Sequence, residues 1–342
     1  MKRKRIAGIV SAVAAVAVVV ASAWAAEKAA DMSKPVKVFL ILGQSNAVGM
    51  GKYAKLEEAV KQKNKYPYLL AGSNWVERQD VRFVQYMSGK GPLRNEFLCV
   101  KPGNIGVEYA IGHALGDVID APVMILKACI GNRALGWDLL PPGSPQIEAV
   151  KKDKSGAEKT YIYAGYKDSP ANWEKGTEPQ KIGWYAGKQW DDDTGDAKKA
   201  LADLATHYPG AKSAEVAGFF FWQGEKDAGD SVWAENYEKN LVNFIKALRK
   251  EFNAPDAKFV LGTMGEATKD RTDNTGKILQ AHLAVDGASG KYPEFKGNVA
   301  TVYTHDMAQG GSGNGHYGGN AEVYMDVGEA MGKAMIELLK SK

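Results

Sequence analysis

Short apolar runs alternate along this chain with stretches whose apolar residues recur every three or four positions. Val36 to Leu42 (VKVFLIL), Val123 to Ala128 (VMILKA), Val216 to Trp222 (VAGFFFW), Lys258 to Thr263 and Val299 to Tyr303 are of the first kind. Runs this short and this apolar suit strands buried on both faces. Between them, Val107, Ala110, Ile111, Ala114, Leu115 and Val118 keep helical spacing, as do Ala197, Ala200, Leu201 and Leu204. Leu241, Phe244, Ile245, Leu248 and Phe252 share one face of a long helix, and a shorter helix covers roughly 276–285. Tyr324, Val327, Met331, Met335 and Leu338 form the inner face of a last helix over about 321–339. The alternation predicts an α/β protein: a mostly parallel sheet with helices on both sides.

Two segments depart from this alternation. Lys2, Arg3, Lys4 and Arg5 precede an apolar run from Ile6 to about Ala21 and the small-x-small pattern Ala23-Trp24-Ala25, which reads as a secretory signal peptide over 1–25. A polar tether follows at 26–35, and 36–342 reads as one domain. Within it, about 137–190 is long, polar and rich in rings, including Trp137, Trp173, Trp184, Trp190, Tyr161, Tyr163, Tyr166 and Tyr185. The expectation is an elaborated surface insertion whose aromatics mostly fill a small core of their own, with one or two free to stack on sugar faces.

Charge changes the picture once export is considered. The four leading basic residues account for the whole formal net charge of +4, so the remainder is formally neutral. The chain therefore gives no support to a nucleic-acid or anionic-membrane partner, and an uncharged one such as a polysaccharide fits better. Cys99 and Cys129 are the two cysteines, in no metal or redox spacing; an exported protein could pair them.

In parallel sheets the residues just past the strand ends carry the chemistry. The first strand ends in Gly43-Gln44-Ser45-Asn46, the second in Cys129-Ile130-Gly131-Asn132, and the third in Trp222-Gln223-Gly224-Glu225-Lys226-Asp227. The fifth is followed by the glycine-rich run 310–315 and His316. A serine after a strand is by default a helix cap. Four strand ends that bring a serine, amide donors and a histidine together meet instead the needs of acyl transfer through a tetrahedral intermediate.

GQSN at 43–46, the glycine after the second strand, WQGE at 222–225 and GHYGGNAEVY at 315–324 resemble the SGNH hydrolase superfamily. The similarity is to its sialate O-acetylesterase and acetyl xylan esterase type, carbohydrate esterase family six. The resemblance implies Ser45 as nucleophile and His316 as general base. The backbone N–H groups of Ser45 and Gly131, with the Gln223 amide, would form the oxyanion hole, and Asn132 would line the site. The chain departs from the pattern at Gly313, where much of the superfamily has the Asp that orients the catalytic His. Asp306, Glu225, Asp227, a backbone carbonyl or Asn314 are left to hold the ring, or the pair acts as a dyad.

The expected fold is thus a three-layer α/β/α sandwich with a mostly parallel, flavodoxin-like five-stranded sheet. The expected activity is removal of O-acetyl groups from an acetylated oligo- or polysaccharide, in a periplasmic or extracellular protein without a cofactor. A different acyl ester, or sugar binding without catalysis, are the alternatives. Asp191-Asp192-Asp193-Thr194-Gly195-Asp196 lacks the closing glutamate of a calcium loop, and His113, His207, His282 and His305 have no ligand spacing, so no metal is expected.

Overall fold

The computed structural model describes residues 30–153, 155–308 and 313–341, so the signal-peptide reading of 1–25 lies outside it. The main sheet has seven strands: β1 (Val36–Gly43), β2 (Glu77–Met87), β3 (Lys90–Cys99), β4 (Val123–Ala128), β5 (Ala214–Trp222), β6 (Lys258–Gly262) and β7 (Val299–Val302). Their order across the sheet is β7-β6-β5-β1-β4-β2-β3. Every neighbouring pair is parallel except β2 with the edge strand β3.

The five strands expected from the sequence are all present. Counted along the chain they follow the flavodoxin order 2-1-3-4-5. The expectation of five strands is corrected by the hairpin of β2 and β3, which extends the sheet beyond β4. Its charges hid it from an apolar reading: Arg78 on β2 is satisfied inside the fold by two bonds to Asp80, at 2.8 and 2.7 Å.

Side chains of β1 alternate between two cores, as strand geometry requires. Val36, Val38, Leu40 and Leu42 pack with α4 (Lys188–Ala202), α6 (Ser231–Glu251) and α7 (Asn274–Ala284). Phe39 and Ile41 pack on the other face with α2 (Tyr53–Lys61), α3 (Glu108–Val118) and α8 (Ala321–Lys340). Two one-turn helices, α1 (Ser45–Val48) and α5 (Glu225–Ala228), sit at the strand ends. The result is the expected α/β/α sandwich.

The insertion holds more order than a loop. Ile147–Lys152, Glu158–Tyr163 and Asn172–Glu174 form a three-stranded antiparallel sheet. Leu140, Ala164 and Ala186, with Trp137 and Trp173 against them, make its small core, whereas Trp190 belongs to the main core. Cys99 and Cys129 are both free thiols, and Cys129 is buried.

Candidate active site

β1 and β5 are adjacent and parallel, and successive strands are added on opposite sides of this pair. Their carboxyl ends therefore border the crevice where such sheets bind ligands. Gly43 closes β1 with φ of 138°, and a Cβ there would lie 2.3 Å from Trp222 O. Only glycine lets the two strand ends approach this closely. Gln44 N then donates to Trp222 O at 3.2 Å, and Ser45 opens α1, closed by Gly49 N to Ser45 O at 3.1 Å. Gly131, beyond β4, is so near that a Cβ on it would sit 3.5 Å from Ser45 Cβ.

The residues flanking Ser45 are fixed from α5. Gln44 Nε2 donates to Glu225 Oε2 and Asn46 Nδ2 to Glu225 Oε1, each at 2.7 Å. Tyr324 OH donates to Asn46 Oδ1 at 3.1 Å. Burial, and secondarily the nearby Glu266 carboxylate, push the Glu225 carboxyl up to about 7.

Gln223 and Asp227 anchor the segment after β4. Asp227 accepts from Leu135 N at 2.8 Å, Gly136 N at 2.7 Å and Gln223 Nε2 at 2.6 Å. Burial raises its carboxyl to about 7. Gln223 Nε2 also donates to Arg133 O at 2.8 Å, and Gln223 Oε1 accepts from Tyr237 OH at 2.7 Å. The main-chain carbonyl of Arg133 can only accept, which fixes the amide's orientation. Both amide hydrogens thus meet acceptors inside the protein, and Gln223 braces the segment that leads from Gly131. Both oxygens of Glu225 and of Asp227 likewise accept hydrogen bonds from the groups they anchor.

His316 is half-buried, with φ of 45° and ψ of 48°, and Tyr317 follows with φ of 56°. Two consecutive non-glycine residues in the left-handed region are strained and need support from their surroundings. Tyr317 supplies it. Its ring is buried and stacks on Trp222 with centroids 6.1 Å apart, and Asn46 Nδ2 reaches its hydroxyl at 3.4 Å. The residue after the candidate base is thereby tied to the residue after the candidate nucleophile. Among the described residues no hydrogen bond joins Ser45 Oγ to the His316 ring. Asn132, with φ of 60°, and Asp306 are exposed. The run 309–312 and the Asn314 side chain lie outside the described residues.

Sequence reasoning missed Lys127, although a lysine inside the apolar run VMILKA was a visible anomaly. It is 1% exposed, and its Nζ donates to Val48 O at 2.7 Å and to Glu108 Oε2 at 2.8 Å. Lysine is rarely buried so fully without such partners. Also unforeseen were Tyr317, Tyr237 and Glu266, whose Oε2 is buried with no hydrogen-bond partner among the described residues. A cleft of about 930 Å³ lies at the opposite end of the sheet, lined by Ala214, Val216, Phe252 and Leu339, away from these groups. Among the described residues, no group of three His, Cys, Asp or Glu side chains could hold a metal. No described helix is long and apolar enough to cross a membrane.

Residues 173–337, a little under half of the chain, match the model of a family described as carbohydrate esterase, sialic acid-specific acetylesterase. No curated protein matches the chain in sequence. A carbohydrate acetylesterase from Xanthomonas citri shares the fold, with a TM-score of 0.50 and 14% identity over 87% of this chain and 55% of that one. A protein from Arabidopsis thaliana (TM-score 0.48, 14% identity, 89% of this chain and 98% of that one) is also similar. So is NanS (TM-score 0.47, 14% identity, 90% of this chain and 98% of that one).

Proposed function

We propose, from the match of residues 173–337 to the carbohydrate esterase, sialic acid-specific acetylesterase family, that the protein is an exported serine esterase that removes O-acetyl groups from a carbohydrate. The likeness to sialate O-acetylesterases read from GQSN and WQGE agrees with this match. The match supports a hydrolase of carbohydrate-esterase type.

Ser45 Oγ attacks the acetyl carbonyl while His316 takes its proton. The tetrahedral intermediate collapses with His316 protonating the departing sugar hydroxyl. Water, activated by the same imidazole, then releases acetate from the acetyl-enzyme. The oxyanion that forms in each half is met by the backbone N–H groups of Ser45 and Gly131. Gln223 joins them only by exchanging one of its present acceptors for the oxyanion. Loss of one such donor lowers the rate by about 10² to 10³.

The observation that carries this reading is the approach of Gly131 to Ser45 at adjacent strand ends, with both neighbours of Ser45 clamped by Glu225. A strand-end serine serving only as a helix cap needs neither feature. Hydrolysis of a small acetyl ester by the purified protein, run beside Ser45→Ala and His316→Ala, tests it. Turnover lost in both variants is the expected result. Persistent binding of an acetylated glycan without turnover, unchanged by Ser45→Ala, would replace catalysis with sugar binding.

A further inference from the structure

We propose that Lys127, held by Glu108, is the positioning residue that sets the nucleophile turn against the oxyanion strand; the inference rests on the esterase reading. Lys127 lies on β4, in register with Ile41 of β1, four residues before Gly131. Its ammonium reaches across to Val48 O, the last carbonyl of the one-turn helix that begins at Ser45. A single cation therefore links the strand that leads to Gly131 with the turn that presents Ser45.

The chemistry of the contact is specific. A four-residue helix leaves its final carbonyls without amide partners, and a cation at that end is favourably placed. Lys127 offers three protons: one goes to Val48 O and another to Glu108 Oε2, while the Phe83 ring lies 5.4 Å away. Glu108, 2% exposed in the first turn of α3, balances the charge. A buried ion pair is weak support for stability compared with apolar side chains of the same size. Val, Met, Ile, Leu and Ala fill the rest of this strand, so packing alone gives no reason for a lysine here. Holding α1 in one place does give a reason. The backbone N–H groups of Ser45 and Gly131 must converge on one oxyanion, and a misplacement of about 1 Å costs on the order of 100-fold in rate.

The test measures kcat and KM for a small acetyl ester, with a thermal melt for each protein, in wild type, Ser45→Ala, Glu108→Asp and the double variant Lys127→Met with Glu108→Gln. The double change leaves no unpaired buried charge. It is expected to lower kcat by about 10- to 100-fold while KM moves less than about twofold, because only transition-state contacts are disturbed. Glu108→Asp keeps both charges but draws the ammonium away from Val48 O, and kcat is expected to fall in the same sense. It also decides the matter should the double variant not fold. Wild-type kcat in a folded variant, or a raised KM at unchanged kcat, overturns the positioning role alone. A wild type without turnover, or an active Ser45→Ala, overturns the esterase reading and this inference with it.

Discussion

Asn46 Nδ2 meets Glu225 Oε1 at 2.7 Å, so the residue after the candidate nucleophile is held by a carboxylate from α5, just beyond the neighbouring strand β5. Gln44 makes the matching bond from the other side of Ser45. One side chain therefore governs the turn on both flanks, and its ionisation has consequences for stability.

Burial, then Glu266, raise the Glu225 carboxyl from 4.5 to about 7, and burial raises Asp227 from 3.8 to about 7. Between the unfolded and folded values the native protein binds more protons than the unfolded chain. Stability from these groups is thus greatest at low pH and is lost as pH rises toward and through about 7. Thermal midpoints measured from about pH 5 to about pH 8 should fall less steeply in Glu225→Gln than in wild type. Parallel curves would show that Glu225 titrates elsewhere.

Asp227 accepts three hydrogen bonds, two of them from the main chain of Leu135 and Gly136. Asp227→Ala leaves those buried donors without partners and should lower unfolding free energy by about 2–4 kcal/mol. Denaturant unfolding measures the loss. Retention of wild-type stability would mean that the segment after Gly131 finds other acceptors.

Gly43→Ala places a methyl group against Trp222 O in a backbone region that side chains rarely adopt. We expect a loss of at least about 3 kcal/mol, with β1 forced away from β5. Esterase activity should fall further than the unfolded fraction explains, since Ser45 moves with the strand end. Activity that simply tracks the folded fraction would contradict this.

Trp184 of the insertion carries the Arg133 guanidinium 4.3 Å from its ring centroid and Lys188 Nζ at 5.3 Å. Arg133 follows Asn132 directly, at the edge of the candidate site. Trp184→Ala should raise KM for an acetylated oligosaccharide by about 3- to 10-fold, equivalent to an exposed cation–π contact or somewhat more. The rate on a small acetyl ester should stay within about twofold. Equal losses on both substrates would assign the ring to packing.

The sequence by itself determined the five parallel strands, the helices between them and the strand ends at which chemistry could sit. Those features arise from local spacing: a run apolar on both faces can only be a buried strand or a buried helix, and length and alternation separate the two. Ser45 and Gly131 were legible for the same reason, as residues immediately past such strands.

Only the tertiary structure decided the partners. The hairpin of β2 and β3 carries charges that look exposed until Arg78 meets Asp80 within the fold. Glu225 and Asp227 look like free acids in a short acidic stretch, yet long-range bonds to Gln44, Asn46, Leu135 and Gly136 make them anchors. Gln223 reads as a spare amide donor until Arg133 O and Asp227 occupy it. Lys127 breaks an apolar pattern in plain view, but its reason lies 79 residues away at Val48 O. Spacing along a chain sets which face a side chain presents; what it meets there depends on how the strands are ordered, and that order is a property of the whole sheet.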